Sequence, residues 1–424
     1  MNILVAVEEL RFGGAQTFAL RFAQALHEAG HNVWLYSMYA NLTEAELVHR
    51  LAPNVPVLAY KPMLPVVDKF MQRADGWLER RQRHRSLRRQ AVKAHLRRML
   101  RQHRIEVVSS NTFKSDELMA EVLETNFPAV PLVVTMHGDY EQFWEFYQAG
   151  KQYVLPNYPA RLQRTLARVT AVAYLADQNL RVLEPAITPA TQTAHLTRRR
   201  IYNGMEGRYS SERARFSRAA LGIEPSAFVV GMVARGVPEK GWEPLIVAYQ
   251  QLKAGSVRPT HLILVGSSQF LSSLQEKYRA DTTIHFLGFV NNPVDCVDVF
   301  DVGVLASSLR ESLPNSIAEY LFCGKSVIST DIGEIQRMLT TDEGQEAGLL
   351  ISFPEHGLAN AQELYQAMYR YATNEPMLKQ HQQFARLAFA KFNMARCVQA
   401  YTDLYQSSRL QMQQAGQNQS FLLK

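Results

Sequence analysis

Glu311 and Glu319 bracket the stretch of this chain best equipped for chemistry, residues 302–333. An apolar run at 302–305 enters a polar loop ending at Glu311. A helical segment then starts at Pro314 or Asn315 and stops at Gly324, and a second apolar run follows. The pattern predicts a β-α-β unit with both carboxylates around the carboxyl end of its first strand, where open parallel sheets bind ligands. Proline suits a first helical position, because its fixed φ matches the helix and its missing N–H forfeits no bond there. The free amides of Asn315, Ser316 and their neighbours would then point toward a phosphate. Glu319, one turn along on the face of Asn315, could accept hydrogen bonds from two vicinal ribose hydroxyls. Glu311, ahead of the helix, could reach hydroxyls on a group carried beyond the phosphates. Two glutamates at this spacing often occur by chance, so the reading rests on strand, loop, helix and glycine appearing together.

Two other places carry candidate chemistry. Arg235 and Lys240 flank a short loop after an apolar run at 228–234 and can converge on one diphosphate; as isolated charges they would simply be solvated. Near the start, a strand at 2–7 leads into Gly13-Gly14 and a helix over 17–29; the glycines permit a sharp turn and close approach of backbone to a bound group, or are simply a helix entry. This pair lacks the Gly-x-Gly-x-x-Gly spacing of a dinucleotide fingerprint, which disfavours a nicotinamide enzyme. His137 ends an apolar run at 131–136, at the edge where a ligand would sit. A lone histidine there is more often a structural hydrogen-bonding residue.

The segment from Glu311 to Glu319 resembles the Glu-x7-Glu donor motif of the retaining, GT-B-fold glycosyltransferases of family 4, in its Glu-Gly-Leu-Pro-Asn variant. The run from Cys323 to Gly333 also matches. The resemblance implies that Glu311 contacts the donor sugar and Glu319 the ribose, while the loop of Ser312, Leu313, Pro314, Asn315 and Ser316 meets sugar and diphosphate, through the amides of all but the proline. It places an Arg and a Lys where Arg235 and Lys240 stand, with Ala234 in place of the usual preceding glycine. It further implies that His137 and the Gly13-Gly14 loop line the sugar pocket from the opposite wall. The match is strongest over 229–333, moderate in the first 40 residues and near His137 and Asn203, and weak over 41–104 and after 350.

These residues require an α/β scaffold. Strands alternating with helices predict parallel sheets covered on both faces. A chain of 424 residues accommodates two such domains. The expectation, with the family's help, is a GT-B fold: two Rossmann-like, doubly wound parallel-sheet domains facing a central cleft. The first spans 1–205, completed by a C-terminal helix at 391–410; the second spans 206–390; a frayed, Gln-rich tail follows at 411–424. Asn203-Gly204 suggests a turn with positive φ at the hinge. Aromatic-rich residues 138–160 are expected as a mobile loop or short helices bearing on the acceptor.

The three cysteines are far apart and show no metal or redox spacing. The N-terminus lacks a basic start, and no run approaches the length of a membrane span. The expected location is cytoplasmic, extending to a peripheral position at the inner face of the plasma membrane. Net charge is +7, and the excess is local: residues 80–104 hold ten arginines, one lysine and no acid. An apolar stripe of Val92, Leu96, Met99 and Leu100 makes 87–104 helical. The arginines are then either a solvated face or a surface for anionic lipid, with apolar residues in 62–85 dipping into the interface. Nucleic acid is disfavoured for want of stacking aromatics.

The function expected from the resemblance is retaining transfer of a sugar from a UDP- or GDP-linked donor to a hydroxyl of a glycan or lipid-linked acceptor, in surface polysaccharide or glycolipid assembly. No metal or other cofactor is expected, because no Asp-x-Asp pair stands where an ion would bridge the phosphates. The alternative is a non-catalytic GT-B-like binding or scaffolding subunit.

Overall fold

The computed structural model describes residues 1–424 except 12, 63–66, 68, 69, 72, 74–85, 152–154, 182–195, 206, 208, 310, 312, 355, 423 and 424. The chain divides into two compact units, residues 1–204 with 394–424, and residues 205–393.

In the first unit, β1 (Asn2–Val7), α1 (Gly14–Glu28), β2 (Asn32–Ser37), α2 (Ala45–Leu51) and β3 (Val57–Ala59) alternate. A second run follows: α3 (Leu87–Gln102), β4 (Val107–Ser110), α4 (Phe113–Asn126), β5 (Leu132–Met136) and α5 (Asp139–Gln148). It closes with α6 (Tyr158–Arg168), β6 (Ala171–Tyr174), α7 (Asp177–Arg181) and β7 (Thr197–Arg200). The seven strands are parallel, in the order β3-β2-β1-β4-β5-β6-β7, so the winding reverses between β1 and β4. Every residue of β1 after Asn2 is buried, as a strand between two helical layers must be. Ile3, Val5 and Val7 pack with α1 on one face; Leu4 and Ala6 pack with Val92, Leu96 and Phe113 on the other.

The second unit begins its sheet with β8 (Phe228–Val233), α8 (Trp242–Gly255), β9 (Thr260–Val265), α9 (Gln269–Lys277) and β10 (Ile284–Gly288). It continues through α10 (Val294–Val297), β11 (Val302–Leu305), α11 (Asn315–Phe322), β12 (Ser326–Thr330), α12 (Ile335–Leu339) and β13 (Gly348–Ile351). Helices α13 (Ala361–Thr373) and α14 (Glu375–Phe389) complete it. Its six parallel strands run β10-β9-β8-β11-β12-β13, reversing between β8 and β11. The final helix, α15 (Met394–Leu422), packs into the core of the first unit.

Several details differ from expectation. The tail is helical through Leu422 rather than frayed from 411. Glutamine is a fair helix former, and extending a helix already nucleated on the core costs little. Gly204 has no positive φ; a Cβ there would lie 2.6 Å from Met394 Sδ and 2.8 Å from Cys397 Cβ, so close packing on α15 explains the glycine. Of the two readings for 138–160, mobile loop or short helices, the second holds for Asp139–Gln148, which forms the ten-residue helix α5, with Tyr140 and Tyr158 fully buried.

Candidate functional site

In the second unit, the loops after β8 and β11 meet where the sheet's winding reverses, the place open α/β sheets reserve for ligands. After β8, the Arg235 carbonyl accepts hydrogen bonds from the Trp242 indole at 3.1 Å and from the Val237 amide at 2.8 Å. A single 3-10 turn, Pro238–Lys240, ends at Gly241, whose φ of +84° turns the chain into α8. A Cβ on Gly241 would stand 2.3 Å from the Ala306 carbonyl oxygen. Just beyond, the Ser308 N–H donates to the Glu239 carbonyl at 2.7 Å. The two loops are therefore stitched together through main chain.

The loop after β11 is held from below as well. Ser329 Oγ donates to the Leu305 carbonyl at 2.9 Å, and Thr330 Oγ1 donates to the Ser307 carbonyl at 2.8 Å. The Tyr320 hydroxyl accepts from the Val233 N–H at 2.8 Å and donates to the Val304 carbonyl at 3.1 Å, pinning α11 beneath β8 and β11. Gly303 admits that ring, since a Cβ there would lie 2.4 Å from it.

This framework brings Lys240 and Glu311 together as an ion pair, with Lys240 Nζ donating to Glu311 Oε1. The two side chains are 9% and 13% exposed. The separate tasks expected of them, phosphate for one and sugar for the other, are not how they stand here: each is the other's partner. A buried ammonium and carboxylate take the nearest opposite charge, since either alone would be costly. Arg235, in contrast, is exposed, and among the described residues its guanidinium has no partner.

Helix α11 starts at Asn315, and Pro314 is its N-cap with ψ 122°, one position earlier than the first helical place expected. Pro314 has no side-chain acceptor, so the amides of Asn315 and Ser316 keep their donors open among the described residues. Glu319 is half-buried on the same helix, and Leu313 is half-buried ahead of it. Ser312 lies outside the described residues. Phe289, which the sequence reading missed, is 59% exposed just after Gly288 at the carboxyl end of β10. A cavity of about 610 Å³ opens at the opposite, amino-terminal edge of β9 and β10, beside Lys253, Arg258, His261 and His285, and none of the expected residues lines it.

In the first unit, Gly13 is extended at φ −177° and Gly14 already begins α1, so the pair is a helix entry and neither residue forms a sharp turn. Any role for them lies in the helix amides and in open space, since a Cβ on Gly14 would meet nothing within 4 Å. Asn111 Nδ2 donates to the carbonyls of Ala6 and Ser109, both at 3.4 Å, which leaves its Oδ1 as an acceptor. His137 Nε2–H therefore donates to Asn111 Oδ1 at 3.3 Å, and Nδ1 accepts from Asn203 Nδ2 at 3.4 Å. Burial pushes the imidazole down to about 4, so it is neutral at pH 7. Both ring nitrogens are engaged, the arrangement of a structural hydrogen-bonding residue. At the winding reversal of this sheet, Lys114 Nζ pairs with Glu8 Oε1 at 2.9 Å, and the Glu8 N–H donates to Thr112 Oγ1 at 3.1 Å.

A buried acidic cluster adjoins His137, and the sequence showed no sign of it. Asp139 Oδ2 accepts the Phe113 N–H at 2.5 Å, and Asp116 Oδ2 accepts the Tyr140 hydroxyl at 2.5 Å. Glu141 Oε1 accepts from Asn179. The second oxygens, Asp116 Oδ1, Asp139 Oδ1 and Glu141 Oε2, are buried and have no partner among the described residues. Burial is the first cause of the raised proton affinity of all three, with Asp139 pushed up to about 7. An unfolded aspartate titrates near about 3.9. Folding thus takes up a proton between these values, and the stability from Asp139 is full at low pH and declines as pH rises toward 7. His137 works in the opposite sense between about 4 and its ordinary value, and a comparison of variants cancels it. Asp139→Asn keeps an acceptor for the Phe113 N–H. Its Tm is expected to gain on the wild type as pH rises from 5 to 8, by scanning calorimetry; parallel profiles would contradict a buried protonated carboxyl.

The basic stretch divides in two. In α3, Arg89 reaches Glu117 at 3.1 Å and Glu121 at 3.0 Å, Lys93 pairs with Glu121, and Arg88 stacks 3.9 Å over Tyr39. These cations serve the fold, whereas Arg98 and Arg101 are exposed. Residues 80–85, and 63–66 and 74–79 of the apolar segment before them, lie outside the described residues.

Residues 12–184 match the family model described as Glycosyltransferase Family 4, and residues 227–374 match the one described as Glycosyl transferases group 1. A search of curated proteins gives no match. Among solved structures, Alr3699/HepE of Anabaena in complex with UDP superimposes with a TM-score of 0.70 at 18% identity, covering 96% of this chain and 100% of that one. Sucrose-phosphate synthase from Thermosynechococcus elongatus gives 0.66 at 17%, covering 96% and 99%. WaaG, a glycosyltransferase involved in lipopolysaccharide biosynthesis, gives 0.60 at 14%, covering 95% and 99%. At such identities these likenesses carry the fold. With one family model on each unit and two parallel sheets in a chain that superimposes on those structures over nearly its whole length, the chain is a family 4-like glycosyltransferase of the GT-B fold.

Proposed function

We propose that the protein moves a sugar from a UDP- or GDP-linked donor to an acceptor hydroxyl, with retention of anomeric configuration. The observation that supports this most is the gathering of Lys240, Glu311 and the open amides of α11 at the winding reversal of the second sheet, with the exposed Arg235 on a loop of the same site. Departure of the sugar leaves negative charge on the diphosphate. Fixed cations and helix-end amides stabilise that charge without reorganising. Arg235, Lys240 and the amides around 312–316 take this role, so the reaction needs no divalent ion and persists in EDTA. Glu311 orients the sugar, Glu319 binds the ribose, and the Phe289 ring offers a face to the base. His137, neutral and already bonded on both nitrogens, acts by position rather than as a proton donor. The Gly13-Gly14 amides keep the sugar-side role that the resemblance implies. The Anabaena protein has been solved with UDP, with UDP and glucose, and with UDP-glucose, which favours a uridine donor.

The test is a thermal-shift panel of UDP-, GDP- and ADP-sugars, since a ligand that binds only the folded state raises its melting point. Glu319→Ala should then raise the KM for the stabilising donor about tenfold or more, the effect of losing a charge-assisted hydrogen bond. Unchanged donor kinetics would remove the ribose role, and binding without turnover would leave a scaffold.

The acceptor is a glycan or lipid-linked hydroxyl in surface polysaccharide or glycolipid assembly, a reading favoured by the likeness to WaaG. No helix among the described residues is long and apolar enough to cross a membrane. The exposed Arg98 and Arg101 suit peripheral contact with anionic lipid at the inner leaflet. Changing both to Gln should weaken sedimentation with phosphatidylglycerol vesicles and leave transfer to a soluble acceptor intact; undiminished sedimentation would reduce α3 to a solvated helix.

A further inference from the structure

We infer that Glu311 makes the site prefer a sugar-bearing donor over the spent nucleoside diphosphate, by holding Lys240 until a sugar's hydroxyls can take the ammonium's place. The inference rests on the donor-site reading above and adds a role which that reading does not contain. Its basis is the ion pair itself. Lys240 Nζ and Glu311 Oε1 are hydrogen-bonded, and with side chains 9% and 13% exposed neither can fall back on bulk water. The backbone carrying Lys240 is fixed. The preceding carbonyl, of Glu239, accepts from both the Ser308 N–H at 2.7 Å and Ser308 Oγ at 3.1 Å, and Gly241 sits against Ala306. Only side-chain torsions are free to change partners.

Two ligands then meet different costs. A diphosphate alone draws Lys240 away and strands a carboxylate that is nearly buried. An uncompensated buried charge is among the most expensive defects a site can hold. A donor carrying its sugar supplies phosphate oxygens to Lys240 and hydroxyl donors to Glu311 in one event, so every polar group ends paired. The penalty falls only on the ligand that lacks hydroxyls, which is how a site built to hydrogen-bond a group rejects the analogue without it. After transfer the same penalty returns, and the Lys240–Glu311 pair re-forms as the product leaves. The pair thereby limits product inhibition.

The experiment measures binding of UDP, GDP and ADP and of the matching nucleotide-hexoses by calorimetric titration, to wild type and to Glu311→Gln. Glutamine occupies the same space but holds an ammonium weakly. The expected result is a diphosphate bound about tenfold more tightly by the variant than by wild type, with the nucleotide-hexose weakened, so that the preference reverses. Equal diphosphate affinity in both proteins overturns the inference and leaves the donor site standing. No diphosphate or nucleotide-hexose binding by either protein sinks the donor site itself. Should Glu311→Gln fail to fold by circular dichroism, Glu311→Asp, one methylene shorter, loosens the pair and must shift diphosphate affinity in the same direction; an unchanged affinity there also overturns the inference.

Discussion

Lys240→Met is expected to lower kcat/KM by about a hundredfold to a thousandfold, the range for losing one donor aimed at developing charge. The loss has two sources. The leaving diphosphate forfeits a cation whose backbone is clamped in place by Ser308 and Gly241. Glu311, 13% exposed, also loses its partner in the free protein. Removing one member of a buried pair costs about 3 kcal/mol of folding stability. The two effects are separable. Lys240→Met with Glu311→Leu replaces both charges by apolar groups and should recover most of the stability, while activity stays at least as low as in the single variant. Steady-state kinetics and urea denaturation on the three proteins check this. A single variant with near wild-type turnover would show that Lys240 does not meet the phosphates.

Gly241→Ala is expected to cost about 3 kcal/mol and to disable donor binding. Its φ of +84° charges any L side chain about 1–2 kcal/mol. The new Cβ would also press to 2.3 Å on the Ala306 oxygen, which is backbone and cannot turn aside; such overpacking adds about 1–3 kcal/mol. Relief by moving the loop after β11 would pull Glu311 from Lys240. Gly344 is the control, because its φ is +86° and a Cβ there meets nothing within 4 Å. Gly344→Ala should show the conformational cost alone and leave the donor site intact. Equal urea midpoints for the two variants would mean that the close approach to Ala306 carries no weight.

Much of the scaffold is legible in the sequence because burial between two helical layers leaves a plain trace. The run at 302–305 coincides with β11 (Val302–Leu305), and the strand at 2–7 with β1 (Asn2–Val7). Helix starts are less clear. Nothing local told Pro314 as an N-cap from Pro314 as a first helical residue, or Gly13-Gly14 as a loop from Gly13-Gly14 as a helix entry. The pairings were not legible. Lys240 and Glu311, His137 and Asn111, and Tyr320 with β8 and β11 join residues from different elements, and no periodicity records such a meeting. The acidic cluster is hidden for the same reason, as its members come from α4, α5 and α7. One signal was available and unused: Glu117 and Glu121 stand four apart on α4, matching Arg89 and Lys93 four apart on α3, the pattern of two helices exchanging charge along a shared seam.

The last helix gives the first unit an awkward birth. Tyr401 lies 4.6 Å from Phe22, ring to ring, its hydroxyl is 2.9 Å from Thr135 Oγ1, and Tyr405 is also fully buried. A ribosome making this protein from its amino end completes β1 to β7 at Arg200, long before the helix that covers them begins at Met394. The second unit, continuous from 205 to 393, emerges whole and can close first. Throughout elongation the earliest-made sheet therefore waits with one aromatic face bare, and a protease added to stalled nascent chains should trim the amino-terminal half while sparing the later-made one.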